Sequence, residues 1–346
     1  MIRPEFSNCL SRVIENPKAT ETDLIFLLDT INQKEQDLLF TEAARIRNQY
    51  CGARMILRGL VEFSSYCGNS CFYCGLNRTN SRAERYRLSP DQIVESARLV
   101  WNAGIKTIVL QSGEDGMEAQ VIADVVYRIK AEHDMAITLS VGERPRKDYA
   151  LWKDAGADRY LLRFESTNPE LYASLHNGRT LETRLQCLDT LQELGYQTGS
   201  GFMVGTPGQT LEIIAQDIRF LAQKNYDMIG IGPFIPHPDT PLRNAPAGDI
   251  HLTLRAVALI RLTSRNAWLP ATTAVGSLDR DYRVDALQAG ANVLMPNFSP
   301  LDVKRKYGIY PGKRCVTETT ADTDSMEDLA RAAGLTLDYS RADTLK

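Results

Sequence analysis

The sequence predicts a (β/α)8 barrel of the TIM type, an α/β fold, on three observations. Short β-rich apolar runs alternate with stretches of helical spacing from Ile105 onward. Eight such runs can be counted, and several helical stretches reach a glycine just before the next run (Gly104, Gly156, Gly195 and Gly290). In chain order the runs are MILRGLVEF (55–63), KTIVLQ (106–111), MAITLS (135–140), DRYLLRF (158–164), YQTGSGFMVG (196–205), DMIGIGPFI (227–235), LPATTAV (269–275) and NVLMPNF (292–298). Between them, SPDQIVESARLVWNAG (89–104) and TLEIIAQDIRFLAQKN (210–225) place apolar residues at helical intervals, and their Ser-Pro and Thr-Leu-Glu starts read as helix N-termini. Residues 1–48 carry two helical patterns, the first interrupted by Pro17, and are expected as a helical extension. The barrel is expected over 49–315, and 316–346 as a tail with one short helix at MEDLARAAG. A doubly wound open sheet is the lesser alternative.

The bulk composition narrows the classes. A chain of 346 residues, 43% hydrophobic and 24% charged, describes a globular protein with a large core. Net charge is only −3 and no Lys/Arg-rich run stands out, which argues against a nucleic-acid partner. No stretch approaches eighteen apolar residues and the N-terminus lacks a signal-like run, so no membrane association and a cytoplasmic location are expected.

Cys67, Cys71 and Cys74, in SSYCGNSCFYCGLNR, have the spacing C-x3-C-x2-C, with Tyr73 just before the last. Three thiolates so close together can hold three corners of a [4Fe–4S] cluster, leaving one iron open. A structural zinc site normally takes four Cys or His ligands in paired spacings, and the nearest histidine is His133. Cys9, Cys51, Cys187 and Cys315 are isolated and read as packing thiols.

Parallel barrel strands ordinarily read as continuous apolar runs. Here Arg58, Leu60 and Glu62 share one face of the first run, and Leu161, Arg163 and Glu165 one face of the fourth. That alternation predicts a polar lumen with its site at the strand C-termini. The bland alternative is that these charges pair with one another at strand ends.

With these features in hand, the chain resembles the radical S-adenosylmethionine (SAM) superfamily, and within it the HydE family of [FeFe]-hydrogenase maturases, near biotin synthase and methylornithine synthase. The matching runs are CGNSCFYCGLNR, TIVLQSGED, AGADRYLLRFES, GFMVGTPGQT, IGIGPFIPHPDTPL, PATTAVG and GANVLMPN. The resemblance implies one [4Fe–4S] cluster on Cys67, Cys71 and Cys74, and reductive cleavage of SAM to a 5′-deoxyadenosyl radical. It implies SAM contacts at Tyr73, at Ser112, Gly113 and Glu114, at Arg163 and Glu165, and at Arg184 for the SAM carboxylate. Met203 in the GFMVGTPGQT turn, with Gly230, Gly232 and Pro233, would pack against the adenosyl group. Arg58, Gln111, Thr138, Thr272, Thr273 and Tyr307 resemble lumen positions around the substrate. That substrate is expected to be a small anionic, sulfur-containing or organometallic iron species, with other hydrogenase maturases and an electron donor as partners. A mutase acting on an amino acid, and a non-catalytic iron–sulfur or zinc protein, are the rival readings. Two departures stand out: Cys315 has no second C-terminal cysteine for an accessory cluster, and Phe164 stands where the resemblance leads one to expect a histidine.

Overall fold

The computed structural model describes residues 1–313 and 323–346. The expectations for Cys315, and for the 315/316 boundary, lie outside the described residues. Three helices open the chain, α1 (Pro4–Glu15), α2 (Glu21–Leu28) and α3 (Gln33–Cys51). Strands β1 (Arg54–Leu57) and β2 (Gly59–Ser64) follow as nearly one run, and the cysteine loop carries the short β3 (Ser70–Cys71). Helices and strands then alternate: α4 (Pro90–Asn102), β4 (Thr107–Ser112), α5 (Ala119–Glu132), β5 (Ala136–Ser140), α6 (Arg146–Asp154), β6 (Arg159–Leu161), α7 (Pro169–Leu175), β7 (His176–Asn177), α8 (Leu181–Glu193) and β8 (Gln197–Ser200). The remainder is β9 (Met203–Val204), α9 (Leu211–Lys224), β10 (Met228–Ile229), β11 (Gly232–Pro233), α10 (Ile250–Thr263), α11 (Arg283–Gln288), β12 (Val293–Leu294), α12 (Leu301–Lys304), α13 (Thr323–Ala332) and β13 (Thr336–Asp338).

The helix starts read from sequence carry side-chain caps. Ser89 and Gln92 form a capping box on α4 with Pro90 in its first turn, and the Thr210 hydroxyl accepts from the Ile213 amide on α9. The four glycines before strands all take positive φ: 82° at Gly104, 109° at Gly156, 75° at Gly195 and 109° at Gly290. A side chain there would be strained, so the helix–Gly–strand rhythm has a backbone cause.

Six strands form one parallel sheet in the order β10-β8-β6-β5-β4-β2, and β1 pairs in parallel with β12. The seventh run joins them through single parallel bridges, Met228 to Trp268 and Pro270 to Val293. A further bridge, Leu60 to Asn297, ties β2 to the eighth run. Eight segments thus follow one another in a ring, with α4, α5, α6, α8, α9 and α10 among the helices of the outer layer. The opening helices pack on that layer: α2 lies on α9, and α3 on α10.

One element was missing from the sequence reading. The tail does hold a helix, α13, but it also supplies β13, which pairs with β1 at the strands' N-terminal end. Beyond it the chain crosses the floor of the barrel. Arg159, fully buried, donates there to the carbonyls of Arg341 and Ala342 and pairs with Asp343 at 2.9 Å. Among the described residues no helix is long and apolar enough to cross a membrane.

Candidate active site

The cysteine loop, 67–74, is pinned from several sides. The β3 pair Ser70–Cys71 lies antiparallel to Asn177–His176, and the Phe72 amide donates to the Leu175 carbonyl at 3.0 Å. Gly68 N–H reaches the Glu114 carbonyl at 3.0 Å, and Gly75 N–H the Ile309 carbonyl at 3.0 Å. Arg85 brackets the loop's exit, donating to the carbonyls of Ser65, Leu76 and Asn77 at 2.6, 2.9 and 2.7 Å. Tyr73 hydrogen-bonds His176 Nε2 at 3.1 Å, and His176 Nδ1 faces the Tyr172 carbonyl at 3.0 Å. Burial first, then Arg184, lowers the His176 pKa to about 3, so it stays neutral and can accept the Tyr73 proton.

The loop opens on a cavity of about 290 Å³ at the C-terminal ends of the strands. All three cysteines line it, together with Tyr73, Gln111, Ser112, Gly113, Glu114, Arg163, Glu165, Arg184, Gly230, Thr272, Thr273 and Tyr307. Burial raises all three thiols, Cys74 up to about 12, so thiolates there need a positive counterpart. Backbone donors are already turned to sulfur: the Asn69 amide lies 3.5 Å from Cys67 Sγ. Among the described residues no three His, Cys, Asp or Glu side chains converge as the ligands of one single metal ion would. Three thiols around a shared opening, with no fourth ligand among the described residues, suit a cuboidal iron–sulfur cluster and not a structural zinc ion.

The charged residues are mutually arranged. Arg163 Nη2 donates to Glu165 Oε2 at 2.9 Å, while its buried Nε has no partner among the described residues. Glu165 sits at φ 65°, a left-handed conformation costly for a non-glycine residue, and its amide is tied to the Gly201 carbonyl. Burial raises its pKa against the pull of Arg163 and Arg184. Arg184 pairs with Glu114 at 3.1 Å and with Glu143 at 2.7 Å. Burial opposes its charge, but the two carboxylates outweigh that cost and hold it protonated. Space for Glu114 is made by Gly142, at φ 83°, where a Cβ would stand 1.8 Å from the Glu114 Cγ. Gly113 approaches Cys67 so closely that a Cβ would lie 2.3 Å from the Tyr66 carbonyl oxygen. A guanidinium, two carboxylates and close-approaching backbone suit the zwitterionic amino-acid end of SAM.

On the other lining residues, Gln111 donates to the Tyr307 hydroxyl at 3.3 Å, and the Thr272 hydroxyl to the Ile231 carbonyl at 3.2 Å. Five of the residues read from sequence do not line the cavity. Arg58 is buried in the lumen beside Met228, donating to its sulfur at 2.8 Å, near Arg159 of the floor. Thr138 is buried, its hydroxyl without a partner among the described residues. Met203 packs with Leu171, Leu175 and Phe234, in a cluster that Tyr73 joins. Gly232 and Pro233 pair with β9, and a Cβ on Gly232 would touch the Thr272 hydroxyl at 2.8 Å. Glu62 is not free in the lumen: Lys313 and Asn297 hold its two oxygens. Phe164 faces away from the cavity, against Phe202 and Phe220 at 6.1 and 5.2 Å, so the expected histidine has no counterpart in the site. Glu143 and Arg179, which tie the charged residues together, lie in loops and were not singled out from the sequence.

The sequence profile of the Radical SAM superfamily matches residues 61–221. The chain is 51% identical to the "[FeFe] hydrogenase maturase subunit HydE" of Thermotoga maritima, over 82% of this chain and 81% of that protein. It is 29% identical to the 3-methylornithine synthase of Methanosarcina acetivorans, over 86% and 85% of the two chains. Among solved structures, methylornithine synthase (PylB) superposes with a TM-score of 0.84 at 26% identity, covering 97% of this chain and 98% of that one. The maturase HydG from Carboxydothermus hydrogenoformans shares the fold, with a TM-score of 0.80 at 19% identity over 97% and 79%. With the cysteine triad, the ring of strands and this likeness in hand, the chain belongs to the radical SAM superfamily and, within it, to the HydE family of [FeFe]-hydrogenase maturases.

Proposed function

We propose that this enzyme matures [FeFe]-hydrogenase by acting on a small anionic, sulfur-containing substrate, a cysteine-bound organometallic iron precursor. The observation that carries the reading is the convergence in one cavity of the cysteine triad, the Glu114–Arg184 and Arg163–Glu165 pairs, and Gln111, Thr272, Thr273 and Tyr307. When bound, the [4Fe–4S] cluster and SAM together supply a 5′-deoxyadenosyl radical by one-electron reductive cleavage of SAM.

The chain's own residues bind, orient and enclose. Cys67, Cys71 and Cys74 would hold three irons of the cluster. Arg184 takes the SAM carboxylate, and Glu114 its ammonium, as charge-assisted contacts. The Tyr73–His176 hydrogen bond and the β3–β7 pairing fix the loop, so the three cysteines keep one position relative to the amino-acid pocket. Thr272, Thr273 and the Gln111–Tyr307 pair supply hydroxyl and amide donors for a small anionic ligand. The floor closed by residues 339–346 keeps water from entering the lumen from below. The setting is the cytoplasm, and the partners are the other hydrogenase maturases and an electron donor.

Complementation tests the reading. The gene should restore active hydrogenase in a host lacking only this maturase, and a Cys71→Ala variant should not. Failure of the wild-type gene, together with turnover of a free amino acid such as lysine by the purified enzyme, would replace the maturase with a methylornithine synthase-like mutase.

A further inference from the structure

Glu114, Arg184, Glu143 and Arg179 form a closed ring of four charges. Glu114 places Oε1 3.1 Å from Arg184 Nη2 and Oε2 3.4 Å from Arg179 Nη2. Glu143 divides its oxygens in the same way, Oε1 lying 2.7 Å from Arg184 Nε and Oε2 3.1 Å from Arg179 Nη1. Each arginine therefore bridges both carboxylates, and the four charges sum to zero. The side chains of Arg184 and Glu143 are only 9% and 5% exposed, so neither charge could stay without the other members.

The four edges are not equivalent. Glu114 and Arg184 line the cavity, whereas Glu143 and Arg179 do not. Arg184 Nη2 donates to Glu114 Oε1 at 3.1 Å on the cavity side, whereas behind it Arg184 Nε and Glu143 Oε1 meet at 2.7 Å as a charge contact without hydrogen-bond alignment. Arg179 is fixed at the back by a second anchor: its Nε and Nη2 donate to Asn69 Oδ1 at 3.0 and 2.6 Å, and Asn69 lies between Cys67 and Cys71.

Building on the reading that SAM binds in this cavity, we propose that Glu143 and Arg179 are positioning residues for its amino-acid group. The ring opens at its Glu114–Arg184 edge, admitting the ligand carboxylate to Arg184 and the ligand ammonium to Glu114, while Glu143 and Arg179 hold the other three edges. The entering zwitterion carries one charge of each sign, so the buried site stays neutral throughout. Glu143 is then the carboxylate that stays paired with Arg184 on the protein side, and it sets the direction in which that guanidinium points. Arg179 does the same for Glu114 and links both to the cysteine loop through Asn69.

The test compares two nucleosides by calorimetric titration into the reconstituted holoprotein. S-adenosyl-L-homocysteine carries both the ammonium and the carboxylate; 5′-methylthioadenosine carries neither. Glu143→Gln should raise Kd for the first roughly tenfold or more, the loss of one charge-assisted contact, and leave the second unchanged. Arg179→Gln, at a half-exposed and more tolerant position, should shift the two ligands in the same selective way. Equal weakening of both ligands, or unchanged affinity for S-adenosyl-L-homocysteine, overturns the proposal. Because hydrogenase maturation is not the readout, a wrong substrate assignment leaves this result standing, whereas a wild-type chain that binds neither nucleoside overturns the SAM site as well.

Discussion

Glu165 holds φ 65° at the lip of the cavity, and two residues further on Thr167 ties the same turn to α9. Asp217, on α9, accepts from the Thr167 amide at 2.6 Å and from the Thr167 hydroxyl at 2.5 Å, while its second oxygen has no partner among the described residues. Burial pushes its pKa up to about 7, with Glu165 adding to the rise and Thr167 opposing it. The protonated form is favoured in the folded state, so its contribution is full below the ordinary carboxyl pKa and is lost as pH rises toward 7. Asp217→Asn should flatten that part of the stability profile, leaving the variant on the order of 1–3 kcal/mol more favourable relative to wild type at pH 8 than at pH 4. Denaturant unfolding across this range checks it; parallel profiles would refute it. At this scale the sequence was partly legible. Two-residue alternation placed Arg163 and Glu165 on one face, and the same alternation turns Phe164 outward. It could not give depth along the lumen, which is why Arg58 and Thr138, on inward faces, lie clear of the cavity lining. Glu143 and Arg179 were not legible, because their pairing joins loops 36 residues apart.

At the scale of elements, local signals were the readable ones. Helix starts show in Ser89–Pro90 and Thr210, because caps act within one turn. The cysteine motif shows because its spacing is itself the ligand set. Strand β13 does not show: Thr336–Asp338 is three residues long, and its partner β1 lies at the other end of the chain. Its consequence is large nonetheless. The segment after it gives Arg159 two carbonyl acceptors and Asp343, gives the Trp268 indole N–H the Asp343 carbonyl at 3.1 Å, and gives Asp227 the Thr344 hydroxyl at 2.6 Å. Removing residues 340–346 would take from Arg159 its two carbonyl acceptors and Asp343 and open the floor to water. Exchanging these charge-assisted contacts for water costs on the order of 2–4 kcal/mol, and the truncated chain should unfold at correspondingly lower denaturant. If its midpoint matched that of the full chain, the floor would be ornamental to stability.

For the whole molecule, the ring of strands is unevenly bonded. Strand β4 pairs with β5 over five consecutive positions and with β2 over five more, whereas β10 meets β8 at two and the seventh run is held by single bridges. Helical layers cover both arcs, yet backbone hydrogen bonds are what fix amides against solvent exchange. The sparse arc, residues 228–233, 268–273 and 293–297, contains Gly230, Thr272 and Thr273 of the cavity lining. A polar site cut into a barrel wall explains the sparseness: Gly and Pro at 230, 232, 233 and 270 leave room for ligand but make a poor ladder. Native-state hydrogen exchange should therefore divide the barrel. Amides of Thr107–Leu110 and Ile137–Leu139 should exchange only through global unfolding, and those of the sparse arc through smaller openings at lower free energy. Loading with cluster and SAM should raise protection on the sparse arc more than on β4 and β5, since ligand binding stabilises the closed wall. Equal protection on both arcs before and after loading would mean that the barrel opens as one unit, and that ligands enter without parting this side of the wall.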